Sequence, residues 1–323
     1  ARALRSPQNL ATRVGHNIRA TRRAFALDGV EERDVSGEAR LTRQDIDRNA
    51  ATLENVRLWD HGPLLETFGQ IQEIRTYYEF ASVDNDRYPI GGKLRQVMLS
   101  ARELNSNNLP SRSWVNERLT YTHGYGLTLG PVNQVTSEGL PVLFVRNLPP
   151  ETIPDLPIEE PSIYFGELTK NYVVVNTQAS EFHYSQGEAN VTTVYKGADG
   201  VRVGGLARRL LFSLGFQSLQ ILFSNDITTD SRVLYHRNIT DRVTTIAPFL
   251  QYDEDPYLVA ANGGLYWIRD AYTTTSRYPY AAASPIGLNY IRNSVKVITD
   301  AYNGTTEFFV ADARDPLAQT LAH

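Results

Sequence analysis

The sequence predicts an α+β fold, with a helical N-terminal part followed by antiparallel β-sheet that contains a buried helix. Apolar residues recur at helical spacing through the first 70 residues, and an alternation of apolar and polar residues begins at Glu73. Further along the chain, two Asn-Gly pairs separate short runs of β-branched and aromatic residues. With 323 residues, 41% of them hydrophobic, the chain can bury a sizeable core without disulfides or metals.

Three helices are predicted before the first strand. The first opens at an N-cap of Ser6 followed by Pro7 in the first turn. The second opens at Thr42, which has Asp45 three residues later in the spacing of a capping box. The third is short and begins at Pro63.

A hairpin is predicted after these helices. Residues 73–81 alternate in polarity and predict a half-buried strand. Residues 84–86 predict a turn, and residues 94–101, which follow a Gly-Gly pair, predict a second strand. Ser113 can then cap a short helix over residues 114–122.

The best candidate boundary in the chain is a proline-rich acidic connector. Five of the 16 prolines lie between Pro149 and Pro161, together with four acidic residues. We therefore expect a first region over 1–148 with a helical start and a β-hairpin, a connector over 149–161, and an antiparallel β-rich region over 162–323. A buried helix is expected near 206–223 and a short helix from Asp230, before two hairpins that turn at Asn262-Gly263 and Asn303-Gly304.

Composition excludes several classes of function. The chain has no Cys, so disulfides, thiolate metal sites and Cys nucleophiles are excluded. Its 32 basic and 36 acidic side chains nearly cancel, which argues against a nucleic-acid partner. All but four of the basic residues are arginines, which we interpret as composition bias because no arginine patch stands out at motif spacing. Phosphate-loop, dinucleotide, serine-hydrolase and zinc-protease motifs are absent from the sequence, and no resident cofactor is predicted.

Five residues are candidates for acid–base chemistry. Glu117 and His123 lie in the densest polar and aromatic stretch, whereas Asp226, Asp230 and Asp270 follow a predicted helix or strand. Carboxylates from separate elements can act as an acid–base pair when folding brings them close together. The alternative interpretation is structural: a helix-ending histidine, N-capping aspartates, and a surface pair of Asp270 with Arg277.

Two further sets of residues suggest binding. Aromatic rings and a cation at Trp114, Tyr121, Tyr272 and Arg277 suit a surface that binds carbohydrate or protein, although strands also use tyrosine for packing.

Two acidic turns have the alternating oxygen ligands that suit a structural calcium ion. Neither turn continues as an EF-hand loop, and ordinary turns are the alternative. The calcium candidates are Asp84, Asp86, Asp253 and Asp255.

Ten ordered segments resemble one known family. They are Asn17–Arg22, Arg57–Asp60, Trp114–Asn116, Thr120–Gly126, Pro131–Asn133, Asp226–Arg232, Ala247–Leu250, Trp267–Thr273, Arg277–Tyr280 and Asn289–Ser294. Together they resemble uncharacterised protein family 0182 (UPF), a family of bacterial integral membrane proteins. The resemblance implies that N-terminal transmembrane helices of a parent protein precede this region and attach it to the membrane. It carries over no catalytic or binding residue.

The sequence therefore favours a non-catalytic function. The leading hypothesis is the soluble extracytoplasmic domain of a polytopic bacterial membrane protein, which binds, senses or scaffolds an envelope component or protein partner. The rival hypothesis is a carboxylate-dependent hydrolase or transferase that acts on envelope glycan or lipid, with Glu117, Asp226, Asp230 or Asp270 as acid or base and His123 assisting.

Overall fold

The computed structural model describes residues 7–37, 40–187 and 189–322 and confirms the α+β class, with helices near the N-terminus and antiparallel sheets. The helices are α1 Pro7–Ala24, α2 Arg43–Arg48, α3 Ala50–Leu53, α4 His61–Gln72, α5 Leu206–Gly215, α6 Leu219–Phe223, α7 Ile239–Ile246 and α8 Pro316–Leu321. The strands are β1 Tyr78–Phe80, β2 Asp84–Ile90, β3 Lys93–Leu104, β4 Gly124–Tyr125, β5 Leu127–Pro131, β6 Ser162–Ile163, β7 Val173–Val175, β8 Glu181–Gln186, β9 Ala189–Thr193, β10 Val201–Arg202, β11 Arg232–Leu234, β12 Gln251–Tyr252, β13 Tyr257–Ala261, β14 Gly264–Thr275, β15 Tyr290–Asp300 and β16 Thr306–Val310.

The predicted helix starts are largely confirmed. The capping box is present, because the Thr42 hydroxyl accepts from the Asp45 N–H while the Asp45 carboxylate accepts from the Thr42 N–H at 2.9 Å. The third helix begins at His61, two residues before Pro63, because Asp60 caps it. The predicted N-cap Ser6 lies outside the described residues. Within the part of the chain that the structure describes, no helix is both long and apolar enough to cross a bilayer.

The first sheet is built around the long strand β3. Strands β1 and β2 flank β3 in the order β1-β3-β2, and β5 also pairs with β3. The predicted strand over 73–81 shortens to β1, because Ile74 turns the backbone with φ 64°. The predicted turn over 84–86 is wrong: these residues begin β2 and pair with Val97 to Leu99 of β3.

The second large sheet has the order β12-β14-β15-β16, and β13 also pairs with β14. Both predicted hairpins are confirmed, since β13 and β14 turn at Asn262-Gly263 while β15 and β16 flank the second Asn-Gly pair. The helix predicted from Asp230 is wrong. Residues 232–234 instead form β11, whose Val233 and Leu234 are buried between β10 and β7.

The buried helix predicted over 206–223 is also wrong. The segment forms two short helices, α5 and α6, which are separated by a turn in which Gln217 has φ 52°. Most of its large apolar side chains are exposed. Leu211 and Leu214 are each 68% exposed, and Phe223 is 71% exposed. Apolar composition predicted burial here, but the segment contacts the body along only one side.

One hydrophobic cluster lies between the two large sheets. It takes Val97 and Leu99 from β3, Leu127 and Leu129 from β5, and Trp267 from β14. The Trp267 indole donates to the Phe165 carbonyl at 2.9 Å, which fixes the ring within the cluster. Residues on both sides of the 149–161 connector contribute to this cluster, and the division of the chain at that connector stays a prediction.

Candidate functional site

A chain of polar side chains is buried where β8 approaches the start of β4. The Thr122 hydroxyl donates to the Glu181 carboxylate at 2.8 Å and lies 2.8 Å from Nδ1 of His123. Nε2 of His123 lies 3.1 Å from Nδ1 of His183. We call Thr122, His123, Glu181 and His183 the histidine network. Thr122 and His123 are fully buried, Glu181 is nearly so, and His183 is half-buried.

The hydrogen bonds of this network run in one direction. Because the Thr122 hydroxyl donates to Glu181, it is left to accept from Nδ1–H of His123. Nε2 of His123 must then accept from Nδ1–H of His183. This arrangement needs a neutral His123, because its Nε2 must accept. Burial supplies that condition, since it lowers the pKa of His123 well below its usual value, and it also lowers the pKa of His183 to about 4.

Glu181 receives more donors than Thr122 alone. The Tyr164 hydroxyl donates to it at 2.9 Å, and the Tyr195 backbone N–H donates at 3.1 Å. Burial raises the pKa of this carboxyl, and the donors oppose that effect by stabilising the carboxylate. The network therefore ends on a buried carboxyl group that accepts several hydrogen bonds, and its chemical capacity is to hold or pass a proton between His183 and Glu181.

A buried arginine supports the same region. Arg237 Nε donates to the Tyr164 carbonyl at 2.7 Å, and its Nη2 donates to the Thr122 carbonyl. Burial lowers the pKa of Arg237 to about 10. The guanidinium thus connects the backbone before His123 to the strand end that carries Tyr164, which fixes the geometry of the histidine network.

A second feature is an acidic cavity of about 540 Å³ next to β2. It is lined by Asp84, Asp255, Ser82 and His61, among others. The Asp84 carboxylate accepts from the Leu258 N–H at 2.8 Å, and burial raises its pKa to about 7. Nearby Glu167 also has its pKa raised to about 7 by burial. Over the described ranges, no group of three His, Cys, Asp or Glu side chains could hold a metal ion.

The third feature is a groove of about 1350 Å³ between α1 and the connection from β14 to β15. We call it the arginine groove, and its walls are Arg13, Val14, His16, Asn17, Arg19, Ala20, Arg23 and Tyr278–Tyr280. The Asn17 side chain donates to the Tyr280 carbonyl at 2.7 Å, and the Thr21 hydroxyl accepts from the Ala282 N–H at 2.9 Å. These bonds join α1 to the opposite wall.

The charge of the arginine groove is one-sided. None of its lining residues is acidic, and Arg13, Arg19 and Arg23 are exposed. Among the described residues, none of these three arginines forms an ion pair with a carboxylate. Guanidinium groups beside tyrosine rings can hold phosphate or carboxylate groups in a bidentate manner. This groove is therefore the best candidate for a ligand site.

The structure places the predicted acid–base residues in different surroundings. Glu117 pairs with Arg112 at 2.6 Å on the predicted short helix after Ser113, which the structure confirms over residues 114–120 and which is π-helical over Asn116–Thr120. The Ser113 hydroxyl accepts from the Asn116 N–H at 3.1 Å, as predicted for its cap. Asp270 pairs with Lys296 on the second large sheet. His123 belongs to the histidine network. Asp226 and Asp230 are both in the loop between α6 and β11, where Asp230 is exposed.

The predicted binding residues have mostly structural contacts. The Trp114 indole donates to the Tyr172 hydroxyl at 2.9 Å, and the Tyr121 ring packs against Phe182 with ring centroids 5.0 Å apart. Tyr272 donates to Asp253 at 2.8 Å. The remaining residue of that set, Arg277, is exposed one residue before the arginine groove.

The calcium candidates do not form one site. Asp84 and Asp255 share the acidic cavity, whereas Asp86 and Asp253 are not among its lining residues. Asp253 contacts the second sheet, since its N–H donates to the Asp270 carbonyl at 2.9 Å. The second acidic turn is present, because the Asp253 carboxylate accepts from the Asp255 N–H at 3.1 Å.

Sequence reasoning missed the arginine groove and the partners of His123. Arg13, His16, Ala20 and Arg23 follow the spacing of one helix face, so the pattern was present in the sequence. The interpretation of the arginines as composition bias overlooked it. The partners Glu181 and His183 lie about 60 residues from His123, and no local spacing could have identified them.

Comparisons with known proteins identify a family but no solved structure. The model of Uncharacterised protein family (UPF0182) matches residues 10–323. A UPF0182 protein of Pelotomaculum thermopropionicum is 49% identical over 94% of this chain and 34% of the relative. UPF0182 proteins of Geotalea uraniireducens and Geobacter sulfurreducens are each 48% identical, over 95% and 96% of this chain and 34% and 35% of their own lengths. No solved structure matches. The chain thus spans about a third of the length of these curated relatives.

Proposed function

The chain belongs to uncharacterised protein family UPF0182, and we propose that it is an extracytoplasmic binding module of a bacterial envelope protein whose membrane spans lie elsewhere in its length. Its ligand carries phosphate or carboxylate groups and binds in the arginine groove. The single observation that carries the binding role is the charge of that groove, which three exposed arginines and two tyrosines line without an acidic side chain.

The acid–base alternative has less support. Glu117 and Asp270 are each neutralised by a cation, and they lie on different elements. His123 is fully buried and already hydrogen-bonded on both ring nitrogens. A binding role requires none of these residues to approach a substrate.

The groove is tested by binding measurements on paired charge variants. The double variant Arg13→Glu and Arg23→Glu reverses two positive charges on the α1 wall of the groove. The control, Arg43→Glu and Arg48→Glu, makes the same change in net charge on exposed α2. Calorimetric titration with tripolyphosphate and with polygalacturonate distinguishes a phosphate ligand from a carboxylate ligand.

We expect the groove variant to weaken binding at least about tenfold, because each lost bidentate contact is worth about 1.5–3 kcal/mol. The control variant should bind within about twofold of the wild type. Equal weakening in both variants would show an effect of net charge alone. Such a result, or the absence of binding to either polyanion, would overturn the proposed ligand class.

The location is tested by cysteine labelling. The chain contains no Cys, so Val35→Cys, at a position 88% exposed, introduces a single reactive thiol here. In the full-length parent protein, with any other cysteine removed, a membrane-impermeant maleimide should label this thiol in intact spheroplasts. Labelling that requires lysis of the cells would contradict the extracytoplasmic location.

A further inference from the structure

The segment α5–α6 presents an apolar surface that the rest of the described chain leaves uncovered. At about 100° per residue, Leu206, Leu210, Leu211 and Leu214 occupy an arc of about 140° on α5. Their exposed fractions range from 48% to 74%, and Leu219 and Phe223 of α6 are exposed to 66% and 71%. We call these six side chains the leucine face.

The opposite side of the segment is fixed to the protein. Phe216 stacks on Tyr172 with ring centroids 4.3 Å apart, and Ile221 is fully buried in a cluster with Val174 and Val233. Arg209 Nη1 donates to the Ser224 carbonyl at 3.2 Å, which links α5 to the end of α6. The leucine face is therefore held in a defined orientation, pointing away from the body.

The charged residues within the segment that carries the leucine face have one sign. Residues 204–224 contain Arg208 and Arg209 and no acidic residue. Arg208 is exposed at the edge of the leucine arc, and exposed Arg202 lies beside it, since Arg208 donates to the Arg202 carbonyl at 3.2 Å. Exposed leucines with arginines at their edge are the pattern of a helix that lies in the surface of an anionic bilayer.

We propose that the leucine face is a membrane-docking surface, which inserts into the headgroup region of a bilayer while Arg208 and Arg202 contact anionic lipid. This contact is independent of the arginine groove and of the side of the membrane on which the chain lies. It lays the body against the lipid surface at a fixed angle.

Vesicle flotation of the full chain tests the proposal. The probes are vesicles of phosphatidylcholine alone and vesicles containing about one third phosphatidylglycerol. The variant Leu211→Gln and Leu214→Gln removes exposed apolar side chains without touching the core. Its control, Phe249→Gln and Ile286→Gln, removes two comparably exposed apolar side chains elsewhere, at 61% and 78% exposure.

We expect the wild type and the control to float with the anionic vesicles, and the leucine-face variant to lose at least about tenfold in partition. Arg208→Gln should weaken binding to anionic vesicles more than to neutral ones, and added salt should reduce that difference. Circular dichroism confirms that each variant is folded.

Three results would overturn the proposal. The wild type could fail to float, or the control could lose flotation as fully as the leucine-face variant. The third is a concentration-dependent dimer in light scattering that only the leucine-face variant abolishes, without flotation of the wild type. That result would assign the face to a second copy.

Discussion

Thr122 joins the two halves of the histidine network through one hydroxyl. It donates to Glu181 and is close to Nδ1 of His123, both at 2.8 Å, in a fully buried position. Replacing it by valine would keep the shape and leave a buried imidazole N–H without its acceptor. A buried donor without a partner costs about 1–3 kcal/mol.

We therefore expect Thr122→Val to lower the free energy of unfolding by about 1–3 kcal/mol. The matched control is Thr245→Val on α7, where the hydroxyl is exposed and bonds only to the Asp241 carbonyl. Thr245→Val should change the free energy of unfolding by no more than about 0.5 kcal/mol. Urea denaturation measures both, and similar losses in the two variants would contradict the directed network.

Asp84 should give the protein a measurable pH dependence. Burial raises the pKa of its carboxyl from 3.8 to about 7, so the folded state holds this proton more tightly than the unfolded state does. Its contribution to stability is therefore fully present below about pH 4 and is lost as the pH rises through 7. The effect of His183 on stability has the opposite sign. Because its pKa is lowered in the folded state, stability is lost as the pH falls from about 6.5 to about 4.

The variant Asp84→Asn isolates the carboxyl from the histidines. Between pH 5 and 8 we expect the melting temperature of the wild type to fall relative to that of the variant, by an amount on the order of 5 °C. Asp34→Asn, at an exposed position, should follow the wild type at every pH. Parallel melting curves for the wild type and Asp84→Asn would contradict a protonated Asp84.

At the scale of elements, the Asn-Gly turns are predicted correctly, whereas the turn over residues 84–86 and the burial of residues 206–223 are not. Asn262 and Gly263 have φ of 51° and 77°, as the Asn-Gly pattern requires for the turn between β13 and β14. The segment over 206–223 has the composition of a core helix, but its sequence contains no sign that the apolar arc of α5 lacks a partner. One side of the segment is buried because it contacts Tyr172 and the cluster around Val174. Both residues lie more than 30 residues earlier in the chain, so the local sequence does not reveal these contacts.

The β15–β16 turn also packs against the core. A Cβ at Gly304 would lie 2.5 Å from Cζ of Phe165, whose carbonyl accepts from Trp267. We expect Gly304→Ala to destabilise the protein by at least about 2 kcal/mol, through backbone strain and displacement of that ring. Gly287→Ala serves as the control, because Gly287 also has positive φ, at 84°, but meets no atom within 4 Å.

The control should cost about 1 kcal/mol, which is the strain of a left-handed residue without a clash. Equilibrium urea unfolding of both variants separates the two effects. Equal losses of unfolding free energy in the two variants would show that the ring of Phe165 moves aside freely and that the turn does not pack tightly against the core.

At the scale of the molecule, the sequence predicts the fold class but not which distant residues meet in the folded protein. The α+β class followed from periodicity, and the hairpins followed from Asn-Gly turns. The histidine network depends on β8 returning to the start of β4 after about 60 residues, and the main cluster joins β3 to β14 across more than 160 residues. Such pairings depend on the packing of whole sheets, which local patterns do not encode.

That shared cluster predicts how the protein unfolds. Val97, Leu99 and Leu129 precede the connector at 149–161, whereas Phe165 and Trp267 follow it, and all five are buried together. Loss of either side would expose the apolar surface of the other, which costs about 25 cal/mol per Å².

We therefore expect the two sides to unfold in one cooperative transition. Calorimetry should give a van't Hoff enthalpy equal to the calorimetric enthalpy. The tryptophan fluorescence, to which buried Trp267 contributes, should change at the same temperature as the far-ultraviolet dichroism. Two resolved transitions would instead support separate domains at the connector. Trp267→Phe should lower the single midpoint without splitting it, because the substitution weakens a core that both sides share.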